Sequence, residues 1–363
     1  MALKRTTVLE IKDLAIRFTT NKQEVHALRG VDLKLYRGET LAIVGESGSG
    51  KSVTAKAVMG ILDKNGHIEG GEVHFNYRLG EKGCHDELLR LPNKELRKRI
   101  NGKRIAMVFQ DPLTSLDPTM TIGNQITEGL RLHLRFTKQQ ARERALELLE
   151  LVGIDDPPTR LRNYPHQLSG GMRQRVVIAI AISCLPDVLI CDEPTTALDV
   201  TIQAKILELI RDLQKKLGLS VIYITHDLGV VAKIADYVSV MYAGRIVEKG
   251  SVEDIFYDPR HPYTWGLLLS IPNYEVGDAS LYTIPGAPPR IVGEMTGDPF
   301  APRNLYALNI DHRLEAPLFR VPGSQSHYAA TWLLHKDAPK VSPPPELVSR
   351  IQTMLEEGRS YAI

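Results

Sequence analysis

A glycine-rich turn, GESGSGKS, occupies residues 45–52 and directly follows the apolar segment LAIV. The spacing G-x-x-x-x-G-K-[ST] between a strand and a helix is typical of a loop whose backbone N–H groups surround phosphate oxygens. A chance glycine turn is the alternative, and the preceding apolar strand disfavours it. In such a loop Lys51 reaches the β- and γ-phosphates and the Ser52 hydroxyl ligates Mg²⁺. We therefore predict that one phosphate site is formed by Gly45, Glu46, Ser47, Gly48, Ser49, Gly50, Lys51, Ser52 and Val53.

Two adjacent acids, Asp192 and Glu193, end the apolar segment VLICDE. A carboxylate at the end of a strand beside a phosphate loop can hold Mg²⁺ through its water shell, and we assign this role to Asp192. The next side chain points elsewhere, so we predict that Glu193 is the general base that polarises the attacking water. No guanine-specifying N-K-x-D box ends a strand, because NKQE at residues 21–24 lies in an early turn. ATP is therefore favoured over GTP.

A third segment, LSGGMRQRVVIAIAI at residues 168–182, places a Ser-Gly-Gly turn at the start of a helix. A helix N-terminus attracts phosphate, so this is a second potential phosphate contact, far along the chain from the first. The order and spacing of the segments resemble those of ATP-binding-cassette ATPases over residues 8–250. The remaining matches are Gln110 in VFQDP to the Q-loop, Asp199 in TTALD to the D-loop, His226 in YITHD to the switch histidine and Phe18 to the aromatic residue that stacks on adenine.

This resemblance implies two cassettes facing head to tail, each ATP bound between the phosphate loop of one cassette and the signature turn of the other. Ser169, Gly170 and Gly171 would then close on the γ-phosphate held by the partner cassette. The resemblance also implies that Gln110 joins Ser52 and Asp192 around Mg²⁺, and that Glu193, His226 and Gln110 are the catalytic residues. For Phe18, a core aromatic residue is the open alternative.

Three further stretches resemble the peptide and nickel importer branch: residues 110–126, the segment HPYTWGLLLSIP at 261–272 and TIPGAPP at 283–289. This resemblance implies the ATPase subunit of an oligopeptide or dipeptide importer, at the cytoplasmic face of a bacterial membrane. Its implied partners are a second, non-identical ATPase subunit, two transmembrane permease subunits and an extracellular or periplasmic solute-binding protein. Import of nickel, oligosaccharide or another small solute stays open. A soluble cassette protein of DNA repair or translation and a non-catalytic regulatory module are further alternatives.

Relatives in this branch carry four cysteines in a C-terminal extension, in a pattern such as C-P-F-x-P-R-C-x6-C followed by H-x3-C, that can hold an iron–sulfur cluster. The matching positions here are Asp298, Asn304, Asp311 and Thr331. Cluster irons are held by cysteine thiolates, so we predict no iron–sulfur cluster. A cation site using Asp298 and Asp311 is the alternative. The favoured interpretation is that Asp298, as an acceptor, and Arg303, as a donor, fix turns by hydrogen bonds, and that Pro299, Phe300, Pro302, Tyr306 and Leu308 pack a small domain.

The elements that must position these residues predict an α/β fold. Residues 8–45 alternate apolar and polar positions, as in antiparallel strands, and residues 85–185 are mostly helical, with a Thr137–Gln140 capping box. Buried strands then alternate with amphipathic helices, which indicates a parallel sheet covered on both faces. Together with the resemblance, this predicts a P-loop (RecA-like) nucleotide-binding domain over residues 1–265, with antiparallel and helical subdomains. Twelve of the 22 prolines follow residue 265, so residues 266–363 are predicted to form a Pro-rich C-terminal domain.

Composition limits the partners. The chain of 363 residues is 43% hydrophobic and 24% charged, with a net charge of +2, which gives no reason to expect nucleic acid as a partner. The basic run at residues 94–104 is interpreted as the solvated face of a helix, with a DNA contact as the alternative. The cysteines, Cys84, Cys184 and Cys191, form no CxxC pair, and Cys191 is predicted to be buried. No apolar run approaches the roughly 18 residues of a membrane span. We expect no secretory signal and a peripheral membrane role.

Overall fold

The computed structural model describes residues 5–20, 23–79, 82–196, 198–271, 282–293 and 295–356. The strands, in chain order, are β1 (Thr7–Thr20), β2 (Gln23–Tyr36), β3 (Thr40–Val44), β4 (Gly66–Leu79), β5 (Lys82–Glu87), β6 (Ile105–Val108), β7 (Val188–Asp192), β8 (Ser220–Thr225), β9 (Tyr237–Tyr242), β10 (Arg245–Ser251), β11 (Phe319–Arg320) and β12 (Tyr328–Ala329). The α-helices are α1 (Lys51–Val58), α2 (Asn93–Glu95), α3 (Pro112–Ser115), α4 (Ile122–Leu134), α5 (Lys138–Leu151), α6 (Pro157–Arg160), α7 (Gly170–Ile182), α8 (Val200–Leu217), α9 (Leu228–Ile234), α10 (Val252–Tyr257), α11 (Pro262–Leu269) and α12 (Pro345–Glu356).

The first sheet is antiparallel, with the strand order β2-β1-β4-β5. Of the short strands predicted for residues 8–45, β1 and β2 are antiparallel and longer than expected, with 14 residues each, whereas β3 joins the central sheet in parallel pairing. Alternate side chains of β1, such as Leu14 and Ile16, are fully buried, because one face of the sheet packs on the core.

The central sheet has the order β11-β12-β10-β9-β3-β8-β7-β6, and the neighbours from β9 to β6 run parallel. Every residue of β3, β7 and β8 is buried, as the continuous apolar runs predict for a sheet covered on both faces. These three adjacent strands end at Val44, Asp192 and Thr225. The carboxyl ends of parallel strands share one edge of the sheet, so the phosphate loop, the two acids and His226 all emerge there.

The helical part of the chain carries its own core. The capping box predicted for α5 is present: Thr137 Oγ1 accepts from the Gln140 N–H at 3.3 Å, and Gln140 Oε1 accepts from the Thr137 N–H at 2.9 Å. The apolar stripe of this helix and of its C-cap is fully buried and consists of Ala141, Ala145, Leu148, Leu149 and Val152. In the basic run at residues 94–104, Leu96 and Ile100 are buried while the basic side chains between them are exposed, which confirms a solvated helical face as far as Ile100. Lys103 and Arg104 lie in the turn that follows and are half-buried.

The C-terminal extension packs directly on the central sheet. Strand β12 pairs with β10, so the extension adds β11 and β12 to the sheet. The fully buried carboxylate of Glu248 on β10 accepts hydrogen bonds from the backbone of Arg260 and His261 and from His327 Nε2 at 2.8 Å. Helix α11 runs across the predicted boundary at residue 265. The division into two domains stays a prediction, and the described part of the extension shares a core with the sheet.

Burial in the extension corrects one expectation. Phe300 is 3% exposed and Pro299 is buried, while Tyr306 and Leu308 are half-buried. Pro302 is exposed, so its predicted packing role was wrong. Pro302 is the middle residue of a single 3₁₀ turn, Ala301–Arg303. Ala301 and Arg303 face inward, so the proline ring lies on the outside. Among the helices of the described residues, none has both the length and the apolar character that a bilayer span requires.

Candidate functional site

The loop between β3 and α1 requires glycine at both of its ends, Gly45 and Gly50. A Cβ on Gly45 would lie 2.1 Å from the carbonyl oxygen of Met241, and one on Gly50 would lie 2.8 Å from the carbonyl oxygen of Ala27. Gly48 faces open space, and its φ of +80° is a conformation that only glycine adopts freely. Strands β2 and β9 therefore pack against the back of the loop so closely that no side chain fits at either end.

Lys51 and Ser49 place polar atoms inside the loop. The Lys51 Nζ donates to the carbonyl oxygens of Gly45 at 2.8 Å and Glu46 at 3.0 Å. Burial lowers the pKa of Lys51, although the carboxylates of Glu193, Asp192 and Glu46 oppose this. Ser49 is 4% exposed, and its Oγ has no hydrogen-bond partner within the described residues. A buried hydroxyl without a partner beside a lysine fits an anionic ligand with several acceptor oxygens.

Ser52 and Asp192 form the oxygen pair expected for a hard cation. The Ser52 hydroxyl donates to Asp192 Oδ1 at 2.9 Å. Burial raises the pKa of Asp192, partly offset by this hydrogen bond. A divalent cation would offset the effect of burial on the Asp192 carboxylate, because the charge of the cation favours the ionised form. A hydroxyl and a carboxylate together fit Mg²⁺, which prefers oxygen ligands and keeps several waters.

Glu193 is held by three side chains. Its carboxylate accepts from Gln110 Nε2 at 2.9 Å and from Thr196 Oγ1 at 3.1 Å, and it pairs with His226 Nδ1 at 3.1 Å. Burial raises the pKa of Glu193, but the hydrogen bonds and nearby positive charges outweigh it, so the net pKa is lowered. Glu193 has a φ of +46°, which is a strained backbone conformation for any residue other than glycine. The side chain is therefore kept ionised and oriented at the edge of the sheet.

The remaining predicted residues lie at element ends. Ser169 caps α7 by accepting from the Met172 N–H at 3.4 Å, so Gly170 and Gly171 form the first turn of that helix. Asp199 caps α8 by accepting from the Ile202 N–H at 3.0 Å.

Two predicted site residues border the antiparallel sheet. Phe18 is half-buried on β1, with its ring against Gly66, and Val53 is half-buried in α1. Within the described residues, no hydrogen bond or ion pair joins residues 169–171 to the phosphate loop. The structure thus brings together the phosphate loop, Asp192, Glu193, Gln110 and His226, and leaves the signature turn apart from them.

Sequence reasoning missed the contacts that hold Glu46. Its N–H donates to the Tyr263 hydroxyl at 2.8 Å, and its carboxylate forms an ion pair with Arg303. The N–H of Glu46 is therefore directed away from the loop interior. The segment HPY that contains Tyr263 matches a family pattern, but nothing local in it points to a loop more than 200 residues earlier. Thr196 was missed as well, although it lies only three residues after Glu193.

In the extension, the four positions that match the cysteine pattern all fix turns. Asp298, Asn304 and Thr331 each accept from the backbone N–H two residues later, at 2.9, 2.9 and 3.3 Å. Asp311 Oδ2 accepts from the Leu308 N–H at 2.6 Å. Within the part of the chain that is described, no group of three or more His, Cys, Asp or Glu side chains could hold a metal ion. The predicted turn-fixing role of Asp298 is confirmed.

Comparison with known proteins gives two family matches. The profile of the ABC transporter family matches residues 28–196, and the profile described as oligopeptide/dipeptide transporter, C-terminal region, matches residues 247–310. The first covers the phosphate loop, the signature turn and both acids. The second covers Tyr263 and Arg303.

Similar chains extend over nearly the full length. The oligopeptide transport ATP-binding protein OppD of Bacillus subtilis is 54% identical, over 97% of this chain and 96% of its own. The dipeptide transport ATP-binding protein DppD of Lactococcus lactis subsp. cremoris is 53% identical, over 94% of this chain and 95% of its own.

Solved structures cover the cassette. The ATP-binding cassette MJ0796, in a dimeric post-hydrolysis state bound to ADP and phosphate, is 27% identical with a TM-score of 0.58, over 67% of this chain and 98% of its own. The cbiO1 protein of Clostridium perfringens, part of an ABC transporter complex, is 30% identical with a TM-score of 0.57, over 70% of this chain and 92% of its own. With an ABC ATPase fold, an ATP-binding site of that family and near-full-length similarity to these relatives, the chain belongs to the family of oligopeptide and dipeptide ABC transporter ATP-binding proteins.

Proposed function

We propose that this chain hydrolyses ATP to power the import of oligopeptides or dipeptides through a membrane ABC transporter. The observation that carries the proposal is the arrangement at the edge of the central sheet. Lys51 lies in the loop beside the Ser52–Asp192 pair, and the Glu193 carboxylate is held by Gln110 and His226. The full-length similarity to OppD and DppD supplies the transported class.

The proposed chemistry follows from the side chains. The backbone of the loop and Lys51 hold the β- and γ-phosphates of ATP, and the Glu193 carboxylate accepts a proton from the attacking water. The lowered pKa of Glu193 keeps it in the basic form at neutral pH. Before the water binds, Gln110 and His226 occupy both carboxylate oxygens of Glu193 and fix its orientation. Phe18, half-buried near the C-terminal end of β1, is proposed to stack on adenine.

Mg²⁺, when bound, would neutralise phosphate charge. Ser52 and the amide oxygen of Gln110 are the proposed direct ligands, and Asp192 is proposed to hold the cation through its water shell. The Ser52 hydroxyl, which now donates to Asp192, would turn its lone pair to the cation. Asp192 is the last residue of β7, so the strand fixes its side chain at the edge of the sheet, from where it would act through the water shell of the cation.

The proposed partner is a second, non-identical ATPase subunit. Among the described residues, no hydrogen bond or ion pair joins the signature turn to the phosphate loop of the same chain. A facing cassette would bring Ser169, Gly170, Gly171 and Asp199 to the ATP held by the other subunit. The dimeric state of the MJ0796 cassette is a precedent for such pairing. We further propose two transmembrane permease subunits, a solute-binding protein on the opposite side of the membrane, and a position at the cytoplasmic face. The coil and helix after Gln110 would contact the permease.

The test is ATP hydrolysis by the complex captured from membranes through a tag on this chain. We expect Mg²⁺-dependent hydrolysis, and a fall of about 100-fold or more in kcat for Glu193→Gln, because a general base contributes about 10²–10⁴-fold. Binding of ATP should persist in that variant, since the phosphate loop is unchanged.

The matched control is Glu208→Gln, the same substitution on the exposed face of α8, which should leave hydrolysis unchanged. Hydrolysis that survives Glu193→Gln would refute the assignment of the base. Capture of a lone chain without hydrophobic subunits would refute the transport role.

A further inference from the structure

The second residue of the phosphate loop is bound by an arginine from the C-terminal extension. Arg303 Nη1 donates to Glu46 Oε2 at 2.6 Å, and Nη2 donates to Oε1 at 2.9 Å. The Arg303 side chain is 6% exposed, and that of Glu46 is 26% exposed. A two-pronged, largely buried arginine–carboxylate pair is geometrically specific and stronger than an exposed ion pair.

Arg303 is fixed independently of Glu46. Its Nε donates to the carbonyl oxygen of Pro285 at 2.7 Å, Nη2 also donates to Gly286 O at 3.2 Å, and Nη1 donates to the Tyr242 hydroxyl at 3.2 Å. Both peptide carbonyls belong to the extension. Since the guanidinium is oriented by these groups, its position defines where the Glu46 carboxylate lies.

The backbone of Glu46 is held by a second residue outside the loop. The Tyr263 hydroxyl accepts from the Glu46 N–H at 2.8 Å, and Tyr263 is completely buried. Its ring packs on Tyr242 and Phe300, with centroids 4.7 and 5.4 Å apart. Phe300 comes from the extension, so the support for Tyr263 is also partly built by it.

These contacts act on the part of the loop that faces phosphate. Gly45 and Gly48, on either side of Glu46, both have positive φ. Glycine restricts backbone rotation little, so these two residues do not by themselves hold the loop in one conformation. The carbonyl oxygens of Gly45 and Glu46 are the acceptors of Lys51. In addition, a free carboxylate at Glu46 would repel a triphosphate bound in the loop, and the Arg303 charge neutralises it.

We propose that Arg303 and Tyr263 are positioning residues of the nucleotide site, and that the C-terminal extension sets the affinity for ATP by holding Glu46. The inference deepens the proposed ATPase function and rests on it. A loop held in its binding conformation loses less freedom when ATP binds, so the expected effect is on affinity. Neither residue touches the reacting atoms, so turnover of bound ATP should change little.

The test compares Arg303→Ala with the wild-type chain in the full complex. We expect KM for ATP, and the Kd of the fluorescent analogue mant-ATP, to rise about tenfold, with kcat within about twofold of wild type. Loss of folded protein alone would lower the apparent kcat and leave KM and Kd unchanged, so the two readouts separate positioning from general destabilisation. The matched control is Arg320→Ala, an exposed arginine of the same extension whose Nε donates to the carbonyl oxygen of Ser324.

A double-mutant cycle adds the carboxylate. Glu46→Gln removes the charge that Arg303 neutralises, so Arg303→Ala should cost about twofold or less in that background, against about tenfold in the wild type. Arg303→Lys keeps the positive charge but loses the two parallel hydrogen bonds of the guanidinium, so we expect it to retain part of the affinity for ATP that Arg303→Ala loses. Equal losses in both backgrounds would refute the pairing.

Unchanged KM and Kd in folded Arg303→Ala would overturn the inference. If that variant does not fold, Arg303→Lys and Tyr263→Phe decide by the same readouts. Tyr263→Phe removes one oxygen from a packed ring, and we expect it to raise Kd about threefold; no change in either variant overturns the inference. Failure of the proposed function is distinct, because it would appear as absent hydrolysis in the wild type, while mant-ATP binding would still report on the loop.

Discussion

Asp298 carries an electrostatic cost that the substitution Asp298→Asn should remove. Burial raises its pKa to about 6, and the charges of Asp311 and Glu315 act in the same direction. The Phe300 N–H donates to Oδ1 of Asp298, an interaction that the amide oxygen of asparagine can keep. The variant therefore removes the buried charge and preserves the turn.

The magnitude follows from the rise in pKa from 3.8 to about 6. One pKa unit equals 1.36 kcal/mol, so the ionised form costs at most about 3 kcal/mol, and solvent around the half-buried side chain reduces this to about 1–2 kcal/mol. The folded state binds the proton more tightly than the unfolded state, so the wild-type chain loses stability as pH rises from about 4 to about 6. Asp298→Asn should thus gain stability over wild type across this range, with a constant advantage above it.

The assay is the free energy of unfolding from urea titrations at pH 4, 6 and 8. We expect Asp298→Asn to be more stable by about 1–2 kcal/mol at pH 8 and by less than about 0.5 kcal/mol near pH 4. Asp212→Asn, the same substitution on the exposed face of α8, is the control and should stay within about 0.5 kcal/mol at every pH. A difference that does not depend on pH, or a variant less stable than wild type at pH 8, would refute the reasoning.

Three further substitutions test the local structure. Gly45→Ala should destabilise the chain by about 3 kcal/mol and weaken mant-ATP binding, because the new Cβ would lie 2.1 Å from Met241 O. Gly48 faces open space, so Gly48→Ala should cost only about 1–2 kcal/mol, for its positive φ. Equal losses of stability in thermal melts of the two variants would contradict the steric explanation. Thr137→Ala removes the α5 capping box and should lower the free energy of unfolding by about 1 kcal/mol, with no effect on the KM for ATP. A measurable change in KM would show that α5 is coupled to the nucleotide site.

The local motifs were sufficient to predict which residues meet at the edge of the central sheet, because each motif carries its own geometry. Glycines at fixed spacing after a buried strand define the loop, and an apolar run that ends in two acids places Asp192 and Glu193 at the sheet edge. His226 follows a buried strand in the same way. The parallel order of β3, β7 and β8 then brings these ends together, as the alternation of strands and helices indicated.

The contacts of the extension could not be predicted from local pattern. Arg303 and Glu46 are separated by 257 residues, and the pair forms only because the extension docks on the central sheet. A proline-rich sequence with few regular elements gives no periodicity from which its buried side chains can be read, which is why Pro302 was misplaced. Asp298 was predicted to fix a turn because a short acceptor side chain bonds the nearby backbone wherever the chain reverses.

Peptide uptake driven by this chain tests the central claim most directly. Proteoliposomes would contain the complex that co-purifies with the chain, together with the solute-binding protein, and the accumulation of a labelled oligopeptide would be measured with and without ATP. We expect ATP-dependent uptake that falls about 100-fold or more with Glu193→Gln and is unchanged with Glu208→Gln. Vigorous ATP hydrolysis without uptake of any oligopeptide or dipeptide, or uptake that persists in Glu193→Gln, would contradict it.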